Sequence, residues 1–177
     1  MDTFIEILVK KKRTAADYLK MIGLTVLASI LIFILFFIVM PMFRFLGSII
    51  FLAIVGLAYL AYKLVTSFNV EYEYALVNDE MDIDKIVDRK RRKRLTTVNI
   101  RGIDAFGQCK SSRLLDGYIK NSNIKKIFAC TEKKDDGVYY ALYSEKEQRM
   151  LIFFNPNNKI VDIIKKKNPL KVNEFEI

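Results

Sequence analysis

Between Lys20 and Lys63 the chain carries a single charged residue, Arg44, and the apolar runs on either side of it, residues 21–43 and 45–62, constrain the fold more than any other feature. A helix rises about 1.5 Å per residue, so roughly 20 apolar residues cross a hydrocarbon core of about 30 Å. The first run suffices alone. The second reaches full length if Lys63 snorkels and the helix continues through Leu64 and Val65. Apolar side chains cover all sides of both helices, which disfavours a buried soluble hairpin. A secretory signal is disfavoured as well, because the first run is too long for one and a second span follows where a cleavage site would stand. Residues 21–67 are therefore expected to form a transmembrane helical hairpin, turned at Pro41, Arg44 and Gly47. Thr25, Ala28 and Ser29 on one helix, with Ala53 and Gly56 on the other, are expected to allow close approach of the two.

Residues 1–20 form a basic, amphipathic cytoplasmic segment in this division. Thr14-Ala15-Ala16-Asp17 has the pattern of a capping box at the start of the first membrane helix. Upstream, Phe4, Ile5, Leu8 and Val9 share one side of a short helix, either an interfacial foot or a frayed terminus. Lys10, Lys11, Lys12, Arg13 and Lys20 precede the first span, and Lys63 and many more basic residues lie at or beyond the end of the second. With only Arg44 at the turn, the positive-inside rule gives a multi-pass cell-membrane protein with both termini cytoplasmic. Lys10, Lys11, Lys12, Arg13 and Lys63 are the expected interfacial residues. The spans contain no Asp, Glu or His, so they read as an anchor and not as a proton relay.

Residues 68–177 change character, with charged residues alternating with aromatic and β-branched ones. Val70, Tyr72, Tyr74 and Leu76 alternate with Glu71 and Glu73, and Asn78-Asp79-Glu80 turns the chain into a second strand around Met81 and Ile83. Further strands are expected near residues 94–100, 103–109, 124–131, 138–144 and 150–154, with a loop over 110–123 and a tight turn at Asp136-Gly137. Asn155 as cap and Pro156 at the first helical position introduce a helix with Ile160, Val161, Ile163 and Ile164 on one face, stopped at Pro169. Seven antiparallel strands followed by a helix exclude a doubly wound parallel sheet.

The segments NVEYEYALVNDEMDIDKIVDRKRRKRL (69–95) and LIFFNPNNKIVDIIKKKNP (151–169), together with the two spans, resemble a family of small two-span bacterial membrane proteins of unassigned function whose cytoplasmic part is PH-like. The resemblance implies an α+β membrane protein: a two-helix transmembrane hairpin, then a PH-like seven-stranded antiparallel β-barrel or sandwich closed by a C-terminal helix. It brings no catalytic residue with it.

The strongest local signal is Arg89-Lys90-Arg91-Arg92-Lys93-Arg94, at the expected turn between the second and third strands. Two roles compete for it. One is contact with anionic phospholipid, worth on the order of 1 kcal/mol per basic residue near the leaflet. The other is neutralisation of Glu71, Glu73, Asp82, Asp84 and Asp88 on the preceding hairpin. Without this run residues 68–177 would be slightly acidic, so the basicity is a local patch, and nucleic acid is disfavoured as a partner. No catalytic, cofactor or metal residue is nominated. The chain has no His, and Cys109 and Cys130 alone cannot complete a zinc shell. The expected function is a membrane-anchored binding or scaffold domain at the inner leaflet, without catalysis. Its expected partners are the bilayer, anionic phospholipid and other membrane proteins. The alternatives are an accessory subunit of a membrane transport or envelope complex, and a carboxylate-dependent enzyme acting on a lipid or phosphate.

Overall fold

The computed structural model describes residues 4–111, 113–132, 135–145 and 148–169. The chain divides into two compact units, Arg13–Asn69 and the combination of Met1–Lys12 with Val70–Ile177.

The first unit is helical. Helix α1 (Ala15–Ile34) opens with the expected capping box: the Thr14 side chain accepts from the Asp17 backbone N–H while the Asp17 carboxylate accepts from that of Thr14. A π-helical turn over Leu35–Val39 and the short α2 (Met40–Met42) carry the chain to a 3-10 turn at Arg44–Leu46, and α3 (Gly47–Thr66) returns. Ala15–Met42 and Arg44–Thr66, of 28 and 23 residues, are long and apolar enough to cross a membrane. Helices α1 and α3 are in contact, and Met21, Leu24, Ala28 and Ile32 on α1 and Ile50, Ile54, Leu57 and Ala61 on α3, all among their least exposed residues, have the spacings of three and four that face one neighbour. This corrects the expected small-residue contact. Of the residues nominated for it only Ala28 is buried; Thr25, Ser29, Ala53 and Gly56 are exposed, and the two hydroxyls bond the carbonyls of Met21 and Thr25.

The second unit holds two four-stranded sheets. The first has the order β1-β2-β3-β4, from β1 (Phe4–Lys10), β2 (Val70–Val77), β3 (Glu80–Val87) and β4 (Arg91–Asn99). Strand β1 corrects the expected helical foot. Ile5, Ile7 and Val9 pack on the core while Phe4, Glu6, Leu8 and Lys10 point away, a period of two, and all seven residues pair antiparallel with β2. The helical hairpin is thus inserted between two neighbouring strands of one sheet.

The second sheet has the order β5-β7-β8-β6, from β5 (Ile103–Gln108), β6 (Lys125–Ala129), β7 (Tyr139–Glu145) and β8 (Gln148–Phe154). It corrects the all-antiparallel expectation, because β6 runs parallel to β8. A helix, α4 (Arg113–Lys120), lies in the connection from β5 to β6, where a loop was expected, and a parallel return needs such a crossover. Leu115 and Tyr118 of α4 pack with Tyr140, Leu142, Leu151 and Phe153, so this sheet is covered on both faces. That explains why β7 and β8 read as nearly continuous apolar runs.

The main core lies between the sheets, where Tyr74, Leu76, Met81, Ile83 and Val98 meet Phe106, Ile152 and Phe154. Helix α5 (Asn158–Lys167) adds Ile160, Val161 and Ile164. Its cap is Asn157, whose side-chain oxygen accepts from the Ile160 backbone N–H, two residues beyond the expected Asn155. Asn155 instead ties strands together, accepting from the Thr131 backbone N–H and donating its own N–H to the Tyr74 hydroxyl. Asp136-Gly137 does form a turn, closed by Val138 N–H to the Asp135 carbonyl, but without positive φ; at Gly137 an added Cβ would lie 3.4 Å from Asn155 Nδ2. Among the described residues no strand of one sheet pairs with the other, so the architecture is an open sandwich and not a closed barrel.

Candidate functional site

The six-residue basic run does not form a single loop. Asp88, Arg89 and Lys90 make the turn, and Arg91 to Arg94 begin β4. Val87 accepts from the Lys90 backbone N–H across Asp88 and Arg89, both left-handed at φ 53° and 55°. This is the conformation a tight hairpin turn requires, and Asp tolerates it far better than Arg.

A register shift then sorts the cations. Ile83 pairs with Thr96, but the next residue, Asp84, pairs with Arg94, so Leu95 is the extra residue of a bulge. Beyond it Lys85 stands opposite Lys93, Ile86 opposite Arg92 and Val87 opposite Arg91. Arg92 and Arg94 therefore share the outer face of the sheet with Glu71, Glu73, Asp82 and Asp84. Arg92 Nη2 lies 2.5 Å from Glu73 Oε2, and Arg94 reaches Asp82 Oδ2 at 2.8 Å and Asp84 Oδ1 at 3.0 Å. Arg89 Nε is 3.7 Å from Glu71 Oε1. Glu71, Glu73 and Asp84 are buried. Burial raises the pKa of Glu73, Arg92 opposes the shift, and Glu6 and Asp84 reinforce it. The Asp84 hydrogen bond holds the Arg94 guanidinium firmly protonated.

Lys85, Lys90, Arg91 and Lys93 have no acidic partner among the described residues. Like charges directly opposite each other, as at Lys85 and Lys93, are unfavourable in a sheet. Lys10 belongs to the same end: it pairs with Glu71 on the strand beside Ile86 and Arg92, and it is exposed. The end is the one at which β1 passes the chain toward α1 and β2 receives it from α3, with the Lys11 backbone N–H bonded to the Val70 carbonyl at 3.0 Å.

The remaining interfacial candidates separate. Lys12 Nζ binds Asp135 Oδ2 at 2.8 Å, which raises the lysine pKa and lowers that of the carboxyl. Arg13 donates to Asn69 Oδ1 and lies 5.9 Å above the Tyr18 ring, within the helical unit. Lys63 lies in the last turn of α3. Lys85 was missed from sequence because its neighbours Asp84 and Ile86 make it look like one residue of an alternating strand; only the cross-strand register pairs it with Lys93. Cys109 is no candidate nucleophile, since burial pushes its thiol up to about 12. Among the described residues no group of three His, Cys, Asp or Glu is placed to hold a metal.

Two stacked antiparallel-rich sheets with a C-terminal helix in their core, carried with two helices long and apolar enough to cross a membrane, fit a PH-like domain of a small membrane protein. The model of the family described as Bacterial PH-like domain (DUF6106) matches residues 1–174, and the chain belongs to that family. The match includes β1 and the helical hairpin, in keeping with a domain assembled from both sides of the insertion. No curated protein and no solved structure matches the chain.

Proposed function

We propose that the protein is a cell-membrane module whose helical hairpin spans the bilayer with both termini cytoplasmic, and whose PH-like domain binds anionic phospholipid of the inner leaflet without a catalytic step. The observation that carries this reading is the sorting of charge at one end of the first sheet. Arg89, Arg92 and Arg94 are engaged by the acids of β2 and β3, whereas Lys85, Lys90, Arg91 and Lys93 have no acidic contact among the described residues. Only four residues separate β1 from α1 and three separate α3 from β2, so connectivity keeps this end within reach of the membrane surface. Near an anionic leaflet each such cation contributes on the order of 1 kcal/mol. Hydrogen exchange of the full chain in nanodiscs tests the reading. Amides of residues 85–94 are expected to exchange more slowly in phosphatidylglycerol-containing discs than in pure phosphatidylcholine, and the difference should fade at high salt. Equal exchange in the two lipids would refute the lipid contact.

A further inference from the structure

The opposite end of the helical hairpin holds a feature that the cytoplasmic cations do not explain. An open cavity of about 540 Å³ is lined by Phe36, Phe37, Met40, Pro41, Arg44 and Gly47. Its size falls within the roughly 300–1,000 Å³ of small-molecule pockets. Phe36 and Phe37 come from the π-helical turn at Leu35–Val39, and Met40 and Pro41 from the short α2 that follows it. Gly47 adds no side chain to the lining, and a Cβ there would sit 4.0 Å from Met40 Cε. Arg44 is the one charged residue between Lys20 and Lys63, and no Asp or Glu occurs between Asp17 and Glu71. Asp17 stands in the first turn of α1, at the other end of the hairpin, too far away to neutralise Arg44. The neighbours of Arg44 along the chain, Phe43 and Phe45, are apolar and exposed.

We propose that this cavity binds a phospholipid of the leaflet opposite the termini, with the phosphodiester on Arg44 and the upper acyl chain against Phe36, Phe37 and Met40. The inference rests on the reading that the hairpin spans the bilayer. A guanidinium presents a planar fork that matches two phosphate oxygens, and this pairing is strongest where water is scarce. The hairpin's first helical segment has a length of about 42 Å and its second about 35 Å, which brings the turn to the far headgroup boundary of a core about 30 Å thick. The required anion is there supplied by the lipid itself. The aromatic and thioether walls accept a flexible chain without a fixed shape.

Native mass spectrometry of the full chain, released from mild detergent and titrated with phosphatidylglycerol or with diacylglycerol of the same acyl chains, tests this site. With Arg44 and Met40 in place the chain should retain phosphatidylglycerol and not diacylglycerol. Arg44→Gln should weaken retention by roughly tenfold or more, and Arg44→Lys by less, because it keeps charge but loses the fork. Met40→Trp, which fills the cavity and leaves the charge, should also weaken it. Every measurement is made on the full chain with Lys85, Lys90, Arg91 and Lys93 replaced by Gln, so that phosphatidylglycerol held by the cytoplasmic patch does not enter the readout. Unchanged retention in both Arg44→Gln and Met40→Trp, or equal retention of diacylglycerol, overturns the proposal. Alkaline carbonate extraction of membranes from the same cells reports on the spanning reading by itself: a chain that stays in the membrane supports it, and release of the chain overturns both.

Discussion

Lys93→Glu should raise the stability of the folded domain while lowering its affinity for anionic lipid. Lys85 and Lys93 face each other across β3 and β4, and a like-charged pair in that position destabilises a sheet by roughly 0.2–1 kcal/mol. Turning the pair into an attractive one removes that term and adds a similar one of opposite sign. Lys93 is exposed, so solvent screening limits the total to about 0.5–1 kcal/mol. For a domain of this size the expected rise in Tm is roughly 2–6 °C. Near an anionic leaflet the same substitution changes the local charge by two units, a loss of about 2 kcal/mol or roughly thirtyfold. Near-UV circular dichroism in a neutral detergent follows the buried Tyr72, Tyr74 and Tyr143 through unfolding, and hydrogen exchange in phosphatidylglycerol nanodiscs reads the lipid contact. An unchanged or lower Tm would refute the cross-strand register. A raised Tm with undiminished lipid protection would leave the register standing and refute the role of the patch.

Three further outcomes follow from the geometry. A fragment of residues 68–177 alone should fail to give a dispersed NMR spectrum, because it lacks β1. Residues 4–12 joined through a short Gly-Ser linker to residue 70 and onward should give one, since Lys11 and Val70 are already hydrogen-bonded. Arg89→Gly should stabilise the protein by about 1 kcal/mol in thermal unfolding, because the left-handed φ of 55° is strained for Arg and free for Gly; a destabilised variant would show that the Glu71 contact outweighs the strain. Lys12→Gln should flatten the acid limb of a stability-against-pH curve. The lowered Asp135 pKa gives a contribution present above the unfolded value of roughly 3.9 and lost as pH falls through the folded one. The raised Lys12 pKa gives one present below roughly 10.4 and lost as pH rises through its folded value.

Local pattern carried the reading of this chain wherever the periodicity was strong. The two apolar runs, β2 with its Val-Tyr-Tyr-Leu alternation and the Thr14 capping box lie where the sequence puts them, and the closing helix does so apart from a start two residues later. Alternation was also present in Phe4–Lys10, but Phe4, Ile5, Leu8 and Val9 fit a helix face as well, and only a partner strand 60 residues or more away in sequence resolves the choice. Helix α4 was hidden for a related reason: its apolar side is short, and the second face of the β5-β7-β8-β6 sheet that it covers exists only after folding.

The sequence alone determined that six cations stand together after an acidic hairpin and that two apolar runs precede them, because composition and period are properties of neighbouring residues. Which of those cations are neutralised was decided by tertiary structure. One bulge at Leu95 turns Arg92 and Arg94 toward Glu73, Asp82 and Asp84 and leaves Lys93 opposite Lys85, since in a strand a shift of one residue exchanges the two faces. The same pairing rules brought β1 across the inserted hairpin to β2, so that Lys10 joins the cationic end of the sheet.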